Sequence, residues 1–471
     1  MKNNLFKISA LIFVLISVFF TYRWVTQKTI VIFLYDDFTL LEVVGAYQTF
    51  PGLMMDNYRM KFVGKKAGRV QSSHIQTLEA EYSIDEISKA DILYLPGGEN
   101  MDAILKDEAV VNWIKKIDQT TDFTLAVGGG SLLLAETGVL TNKKVATHWY
   151  YQDKLKDYKV KYTNENYVKE GKYYTGAGAS ASIDMVLEVV GEVSSAENAE
   201  AMQLFIEYDP LSPIESKTFE ASDSTVQRLA RELLTPKKKD TAAPQKVIAM
   251  MLYKGFTMLD MTGPYQVFKY LEPLGYSMKF VADKKGEILS DMLLGYQAGY
   301  VFEEVKTADI LFIPGGTDTP GAMEKSRLIN WVKKIDKTTQ YTTSVCTGSL
   351  VLAKAKLLEN RSASCFWYAG QFLEQYKATY SKERYTISEK YITGGGVSAG
   401  IDFALLLVKE LEGEDLAKAI QLDLGYFPNP PFDAGSPEKA SQKTVDWLSS
   451  MLAGSHKKYL KAKAARIVDN L

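Results

Sequence analysis

Short runs of hydrophobic residues alternate with longer amphipathic stretches along most of this chain. Residues 30–34 and 247–252 are continuous apolar runs of strand length, and two further runs, 90–98 and 308–316, end in a Pro-Gly-Gly loop. Continuous apolar runs are typical of strands in a parallel sheet that helices cover on both faces. Helix-length segments lie between these runs. The pattern therefore predicts an α/β fold with ligand sites at the carboxyl ends of its strands.

The same pattern repeats at an offset of 218 residues without a gap. Such an unbroken register predicts a duplicated domain, because unrelated segments would not keep every loop at the same length. The two copies differ where chemistry is expected, and we interpret the differences as one working site beside one disabled site. The differing pairs are Gly128 and Cys346, Gly129 and Thr347, and His148 and Phe366.

The repeat and the composition divide the chain into five predicted segments. The joint between the copies is Pro-bounded and charged, as exposed linkers are, and the C-terminal tail is basic and rich in alanine. We interpret the tail as a solvated helix, with a membrane-surface helix as the alternative. The segments are a signal anchor or transmembrane segment (1–28), a domain without a nucleophile (29–234), a linker (235–245), a domain with a cysteine nucleophile (246–455) and a basic helical tail (456–471).

The N-terminus carries an apolar run over residues 8–22, flanked by Lys7 and Arg23. The run is long for a signal-peptide core and short for a spanning helix of about 20 residues. The residues that follow are bulky rather than small, which favours an uncleaved membrane anchor over a cleaved signal. The sequence therefore predicts a membrane-anchored protein with extracytoplasmic domains.

Charge and cysteine content restrict the function classes. The 471-residue chain has a formal net charge of -2 and a pI near 6.1, which gives no reason to expect a nucleic-acid partner. Its two cysteines, Cys346 and Cys365, both lie in the second copy, and this count argues against a disulfide scaffold.

Cys346 occupies the most informative position in the chain. It follows a β-prone run at 341–345 and precedes small residues and a helix start. A strand, tight turn and helix in this order lift a nucleophile to the edge of the sheet, and a helix N-terminus favours thiolate. The alternative is a buried cysteine that acts as a small hydrophobic residue.

Asp260 is the second candidate, because it lies among apolar residues just after the first strand of its copy. A buried carboxyl tends to stay protonated or to find a partner. A protonated Asp260 could donate a hydrogen bond to the Cys346 thiolate and deliver a proton. The alternative is that Asp260 caps a helix N-terminus.

Five motifs follow one another in the second copy. They are Leu-Asp-Met-Thr-Gly-Pro (259–264), Ile-Pro-Gly-Gly (313–316), Val-Cys-Thr-Gly-Ser (345–349), Gly-Gly-Val-Ser-Ala-Gly-Ile-Asp (395–402) and Pro-Pro-Phe-Asp-Ala-Gly-Ser-Pro (430–437). In this order they resemble the ThiJ/PfpI superfamily, over nearly all of 246–455 and more loosely over 29–232. The resemblance implies a glutamine-amidotransferase-like, flavodoxin-like fold. The full fold expectation is therefore α/β, with two tandem flavodoxin-like domains whose parallel sheets are covered by helices, preceded by an N-terminal membrane anchor helix.

Within this superfamily the second copy is most similar to the isonitrile hydratases. The resemblance implies that Cys346 is the nucleophile, with Thr347 adjoining it and Asp260 as proton donor. Attack on the isonitrile carbon would give a thioimidate, which water converts to an N-substituted formamide. The loop at Gly315 and Gly316 would hold the substrate or developing negative charge. The implied partner is a small molecule, and no metal or organic cofactor is implied.

Two departures keep other functions open. Many relatives carry a histidine where this chain has Phe366, and the first copy keeps Glu42 and His148 but has Gly128 at the nucleophile position. The first copy is therefore predicted to be a structural pseudo-enzyme that acts as a fused dimer partner. The alternative for this copy is that its retained polar residues bind a ligand. The alternatives are a non-catalytic ligand-binding or thiol stress-sensing protein and a glyoxalase or deglycase type of activity. A redox pair of Cys346 with Cys365 would need a local bend.

Overall fold

The computed structural model describes residues 27–73, 76–99, 101–214, 218–235 and 246–454. We call residues 27–235 the first half and residues 246–454 the second half. Each half is an α/β domain built on a seven-stranded sheet. The α/β part of the predicted fold is therefore confirmed.

The described strands and helices of the first half follow the expected alternation. Its strands are β1 (Lys28–Leu34), β2 (Tyr58–Gly64), β3 (Gly68–Gln71), β4 (Thr77–Ala80), β5 (Tyr82–Ser83), β6 (Ile92–Leu95), β7 (Phe123–Val127), β8 (Lys144–Val145), β9 (Lys161–Tyr162), β10 (Tyr167–Glu170) and β11 (Tyr173–Gly176). Its helices are α1 (Leu40–Thr49), α2 (Met101–Leu105), α3 (Glu108–Asp118), α4 (Gly130–Glu136), α5 (Gln152–Leu155), α6 (Ala179–Val193), α7 (Ala196–Phe205) and α8 (Ser224–Leu233), with 3-10 helices at Phe50–Asp56, Trp149–Tyr151 and Lys156–Tyr158.

The described second half repeats this order closely. Its strands are β12 (Lys246–Met251), β13 (Tyr276–Ala282), β14 (Gly286–Leu289), β15 (Gly295–Ala298), β16 (Tyr300–Val301), β17 (Ile310–Ile313), β18 (Tyr341–Val345), β19 (Ser362–Ser364), β20 (Thr379–Ser381), β21 (Tyr385–Ser388) and β22 (Tyr391–Gly394). Its helices are α9 (Met258–Phe268), α10 (Thr319–Glu324), α11 (Ser326–Asp336), α12 (Gly348–Lys354), α13 (Val397–Glu412) and α14 (Glu414–Asp423), with 3-10 helices at Lys269–Leu274 and Gly370–Tyr376 and a further helix at 442–454.

The two large sheets have the same topology. The strand order is β10-β11-β7-β6-β1-β2-β5 in the first half and β21-β22-β18-β17-β12-β13-β16 in the second. Neighbouring strands are parallel except for the antiparallel edge pairs β10–β11 and β21–β22. The register is also conserved, because Ile30 pairs with Ile92 in one sheet and Ile248 pairs with Ile310 in the other. Both sheets thus carry the duplication that the 218-residue offset predicts.

The central strands are buried because helices cover both faces of each sheet. All four residues of β6 and all four residues of β17 are buried. This explains why their sequences are apolar throughout instead of alternating with polar residues. The carboxyl ends of β6, β7, β17 and β18 lead directly into the loops that carry the candidate residues.

The two halves pack against each other through α1 and α9, through α8 and α14, and through one loop from each half. The loop after α14 approaches the first half so closely that a Cβ on Gly178 would lie 2.7 Å from the Gly425 Cα. In return, Arg384 donates from Nη1 to the carbonyl oxygen of Glu207 at 3.1 Å. Arg384 also forms a buried ion pair with Asp402, at 2.9 Å from Nε to Oδ2. Each half thus inserts a loop beside the candidate site of the other.

The predicted membrane anchor has to be corrected. No helix in the described part of the chain is long and apolar enough to cross a membrane. Residues 1–26 lie outside the described residues, and Lys28, the last residue of the predicted anchor, begins β1 instead. The apolar run at 8–22 is also shorter than the roughly 20 residues that a spanning helix needs. The predictions of an anchor helix and of a membrane-anchored, extracytoplasmic location were therefore wrong on the evidence of the described chain.

Two other predicted segments fall largely outside the described residues. Of the predicted linker at 235–245, only Thr235 is described, and the predicted basic tail at 456–471 is not described. The domain limits at 29–234 and 246–455 stay predictions.

We expect the Arg384–Asp402 ion pair, which lies within the second half and holds Arg384 beside the Glu207 carbonyl, to stabilise the fold. Replacing Arg384 by methionine leaves the fully buried Asp402 carboxylate without its cation, and the free energy of unfolding should fall by about 3–5 kcal/mol. Urea unfolding followed by circular dichroism measures this change. Lys382→Met is the control, because Lys382 forms an exposed ion pair with Glu438 that solvent screens, and its loss should change the free energy of unfolding little. Equal losses in the two variants would contradict the assignment.

Candidate active site

Cys346 lies at a sharp turn between β18 and α12. Its φ angle is +57°, a left-handed conformation that side chains other than glycine seldom adopt. Its N–H donates to the carbonyl oxygens of Gly394 (3.1 Å) and Gly395 (2.6 Å), which fixes the turn. The residue is partly exposed. Backbone strain of this kind persists only where the surroundings enforce it, and it is concentrated at functional sites.

Asp260 lies in the first turn of α9 and is fully buried. Its Oδ2 accepts a hydrogen bond from the Gly315 N–H at 2.9 Å, and its Oδ1 has no hydrogen-bond partner among the described residues. Burial and the charge of Asp291 raise the pKa of Asp260 well above its usual range, while the Gly315 N–H and the Cys346 thiol lower it. The structure thus brings Asp260 next to Cys346. The helix-capping alternative fails, because Thr257 is the N-cap of α9.

Thr347 organises the loop that follows β17. Its Oγ1 accepts from the Gly316 N–H at 2.9 Å and lies 2.7 Å from the Thr319 Oγ1. The amides of Gly315 and Gly316, which the sequence suggests as donors to the substrate, therefore both have acceptors within the protein. A substrate atom could reach the Gly316 N–H only by displacing Thr347 Oγ1.

The Cys346 thiol holds its proton more tightly than an exposed cysteine. Burial raises its pKa well above the usual range, and the nearby charges of Asp260, Cys365 and Glu207 raise it further, while the Thr347 N–H opposes them. These influences oppose the thiolate that the sequence predicts at the helix N-terminus, and that state of Cys346 stays a prediction. Helix α12 has only seven residues, and burial together with negative charge outweighs its dipole.

Glu207 is a further acidic residue at this site, and the first half supplies it. Its Oε2 accepts from the Trp367 N–H at 3.3 Å, and a Cβ on Gly395 would lie 2.7 Å from its Oε1. Gly395 is also the residue whose carbonyl oxygen holds the Cys346 N–H. Burial raises the pKa of Glu207 to about 8, although the Arg384 charge lowers it. The site of the second half therefore contains a carboxyl from the first half.

Our sequence analysis missed Glu207, although the internal repeat contains the signal. Glu207 aligns with Gly425 at the 218-residue offset, and both have a left-handed backbone, with φ of +50° and +57°. Glycine is the usual residue in this conformation, so a glutamate there is strained. The half with the cysteine thus receives a glutamate from its neighbour, and the half without it receives a glycine.

At the corresponding site of the first half, Glu42 occupies the place of the missing nucleophile. A Cβ on Gly128 would lie 2.7 Å from the Glu42 Oε1, and Gly128 keeps the left-handed turn with φ of +53°. Glu42 Oε2 accepts from the Gly97 N–H at 2.6 Å, as Asp260 does from Gly315 in the second half. Burial raises the pKa of Glu42 to about 7. The Glu42 carboxyl thus lies against the position that a side chain at residue 128 would take.

A second exchange removes the polar network of the first half. Where the second half has Thr347 hydrogen-bonded to Thr319, the first half has Gly129 and Met101. A Cβ on Gly129 would lie 2.6 Å from the Met101 sulfur. Met101 therefore takes the space that the Thr347 side chain has in the second half. The absence of a threonine at position 129 is thus coupled to the absence of one at position 101.

The described part of the chain contains neither a disulfide nor a cluster of metal-binding side chains. Cys346 and Cys365 are both free thiols. No group of three or more His, Cys, Asp or Glu side chains within the described ranges could hold a metal ion. Phe366 is partly exposed, whereas its counterpart His148 is buried and its Nε2 has no hydrogen-bond partner among the described residues.

Comparison with known proteins gives two matches to one family model, described as the DJ-1/PfpI family, at residues 28–192 and 246–410. Isonitrile hydratase of Pseudomonas putida is 36% identical over 210 residues, which are 45% of this chain and 91% of that protein. Protein DJ-1 homolog B of Arabidopsis thaliana is 22% identical over 369 residues, which are 75% of this chain and 78% of that protein. A ThiJ/PfpI family protein of Pseudomonas syringae, a crystal structure, is 32% identical with a TM-score of 0.44 and covers 48% of this chain and 95% of its own.

The charge of Glu207 should control the reactivity of Cys346. Glu207→Gln removes one negative charge that raises the thiol pKa, so the pH at which Cys346 alkylates should fall. Iodoacetamide labelling between pH 6 and 10, with the Cys346 peptide quantified by mass spectrometry, gives the alkylation rate at each pH, which should be higher in Glu207→Gln than in wild type. Glu410→Gln, at an exposed position, is the control and should leave these rates unchanged. Unchanged rates in Glu207→Gln would show that the two groups do not interact.

The collision between Glu42 and a side chain at position 128 can be tested by stability. Gly128→Ala should cost about 1–3 kcal/mol more than Gly138→Ala, because both have positive φ but only position 128 is occupied. Glu42→Asp in the Gly128→Ala background should recover much of this difference by shortening the side chain. Urea unfolding of the wild type and of the three variants gives their free energies of unfolding. If the two alanine variants lose equal stability, Glu42 does not fill the nucleophile space.

Proposed function

Because the chain belongs to the DJ-1/PfpI family, we propose that its second half is a hydratase that uses Cys346 and Asp260 on a small electrophilic carbon. The observation that carries the proposal is the strained Cys346 beside a buried Asp260 carboxyl oxygen that has no hydrogen-bond partner among the described residues. The 36% identity to isonitrile hydratase over 91% of that relative supports an isonitrile as the substrate class. The reaction would then convert an isonitrile to an N-substituted formamide.

The first step joins the Cys346 sulfur to the terminal isonitrile carbon. As the S–C bond forms, the protonated Asp260 carboxyl gives its proton to the same carbon and takes the thiol proton on its other oxygen. The product is a thioimidate, S–CH=N–R, and the charge of the protein is unchanged by the step. Because burial raises the pKa of both the thiol and the carboxyl, Asp260 acts as acid and base in one step, and the pair titrates as a unit.

The second step adds water to the thioimidate carbon and breaks the S–C bond. We assign the activation of this water to Glu207, because its carboxyl is the further acidic group at the site and its pKa of about 8 suits proton transfer near neutral pH. The products are the formamide and the free Cys346 thiol. Each proton that water gives up returns to nitrogen or sulfur. The chemistry needs no cofactor, and Phe366 in place of histidine does not interrupt it.

The first half supports this activity without carrying out chemistry itself. It has no thiol at Gly128, and Glu42 and Met101 fill the space of the missing side chains. Its proposed role is that of an internal dimer partner that holds Glu207 at the site of the second half. This role explains why a half without a nucleophile is retained in the same chain.

A non-catalytic thiol sensor or ligand-binding protein is the second candidate. The raised pKa of Cys346 favours the ligand-binding form of this candidate over the thiol sensor, because a protonated thiol reacts slowly with electrophiles and oxidants. The raised pKa is compatible with catalysis only if Asp260 removes the thiol proton during attack. Measurement of turnover therefore decides between the two candidates.

The full-length protein should convert an aryl isonitrile to the formamide, which chromatography detects directly. Cys346→Ala should abolish turnover, and Asp260→Asn should lower kcat on the order of 100-fold or more, because it removes the proton acceptor. Asp184→Asn is the matched control, because it also removes a fully buried carboxyl but lies in the first half. Its kcat should stay within about twofold of wild type.

Absence of formamide with intact Cys346 would contradict the hydratase proposal. If Cys346 is then found to be oxidised or alkylated stoichiometrically at low reagent concentration, the sensor candidate is favoured. Equal activity of Cys346→Ala and wild type would exclude covalent catalysis by this residue.

A further inference from the structure

A cavity of about 900 Å³ opens at the site of the first half. Its walls include Glu42 and Gly128 of the first half and Gln266, Lys269 and Asp423 of the second half. The proposed reaction in the second half uses none of these residues. A pocket of this size, with a few convergent polar groups, has the properties of a small-molecule site.

Gln266 is the strongest sign that a ligand occupies this cavity. The residue is 1% exposed, and neither its Nε2 nor its Oε1 has a hydrogen-bond partner among the described residues. A buried amide without partners is costly, by about 1–3 kcal/mol for each group. Its counterpart Gln48 does not have this problem, because its Oε1 accepts from the Leu259 N–H across the interface. The pseudo-symmetry of the two halves is therefore broken at the cavity.

Asp423 provides a second unsatisfied acceptor in the same wall. Its Oδ2 accepts from the Tyr270 hydroxyl, whereas its Oδ1 is buried without a hydrogen-bond partner in the described chain. Tyr270 follows Gln266 by one helical turn, so the two groups lie on the same side of the helix that ends near Phe268. A ligand that satisfies Gln266 and Asp423 together needs at least two N–H donors and one acceptor.

The charges around the cavity restrict the ligand further. Lys269 has a largely buried side chain, 8% exposed, and its Nζ lies 3.8 Å from the Glu99 Oε1. The carboxyls of Glu42 and Asp423 also line the cavity. Several carboxyls would therefore repel an anionic ligand, and the Lys269 ammonium is already paired with Glu99. A cationic ligand would meet the buried Lys269 ammonium. A neutral group with N–H donors avoids both penalties.

We propose that this cavity binds a small neutral molecule that carries a primary carboxamide. The ligand carbonyl would accept from Gln266 Nε2, and one ligand N–H would donate to Gln266 Oε1, as two amides pair side by side. The second ligand N–H would donate to Asp423 Oδ1. This assignment satisfies the three orphaned polar atoms with the three hydrogen-bonding positions of one functional group. The first half thereby gains a binding function that does not depend on Cys346.

Three ligands of nearly the same shape test the proposal on the full-length protein. Benzamide should bind saturably in calorimetric titration, whereas benzoate and benzylamine should bind at least about tenfold more weakly, because each lacks part of the donor and acceptor set. Tighter binding of benzoate or of benzylamine would overturn the carboxamide assignment. Absence of saturable benzamide binding would overturn the site, with water then left as the partner of Gln266.

Two variants locate the binding and separate it from the proposed hydratase. Gln266→Leu preserves much of the side-chain volume but removes both polar atoms, and it should weaken benzamide binding at least about tenfold. Cys346→Ala should leave benzamide binding unchanged, whether or not the protein hydrates isonitriles. Circular dichroism confirms that both variants fold. Unchanged benzamide binding in Gln266→Leu, or its loss in Cys346→Ala, would contradict a separate site in the first half.

Discussion

One contact determines the chemistry available at both sites. In each half, a buried carboxyl on the first helix accepts a hydrogen bond from a backbone N–H of the Pro-Gly-Gly loop. The same carboxyl faces the residue at the turn that follows the strand. In the second half Asp260 accepts from Gly315 and leaves room for Cys346. In the first half Glu42 accepts from Gly97 and extends into the space at Gly128. Asp260 therefore lies beside a thiol, whereas Glu42, whose side chain is longer by one methylene, lies against the position of a side chain at residue 128.

Each half also contributes residues to the site of the other half across their interface. The first half contributes Glu207 to the site with the cysteine, and the second half contributes Gln266, Lys269 and Asp423 to the cavity of the first half. Neither site is complete within one half. Duplication followed by divergence on both sides of a shared interface explains why the differences between the copies are concentrated there, while strand order and register are unchanged.

Local patterns in the sequence predicted the duplicated α/β fold and the proximity of Asp260 to Cys346, because apolar runs define parallel strands and the carboxyl ends of neighbouring strands meet. The repeat shows that Glu207 differs from its counterpart Gly425, but the contact of Glu207 with Trp367 could not be predicted, since it depends on how the halves pack. The direction of the Cys346 pKa shift was also not predicted, because the burial and the surrounding carboxyls that raise this pKa arise from tertiary packing. The anchor was predicted from hydropathy alone, for an apolar run close to the minimum length of a spanning helix, and no packing pattern supported it.

The protonation of Asp260 tests the shared contact most directly. Infrared difference spectra of wild type minus Asp260→Asn, recorded between pH 4 and 9, isolate the carboxyl band of this residue. The account predicts that Asp260 keeps its proton well above the ordinary range of aspartic acid, and that Cys346→Ala raises its pKa further by removing the thiol hydrogen bond. An Asp260 that titrates near pH 4 and does not respond to Cys346→Ala would contradict the account.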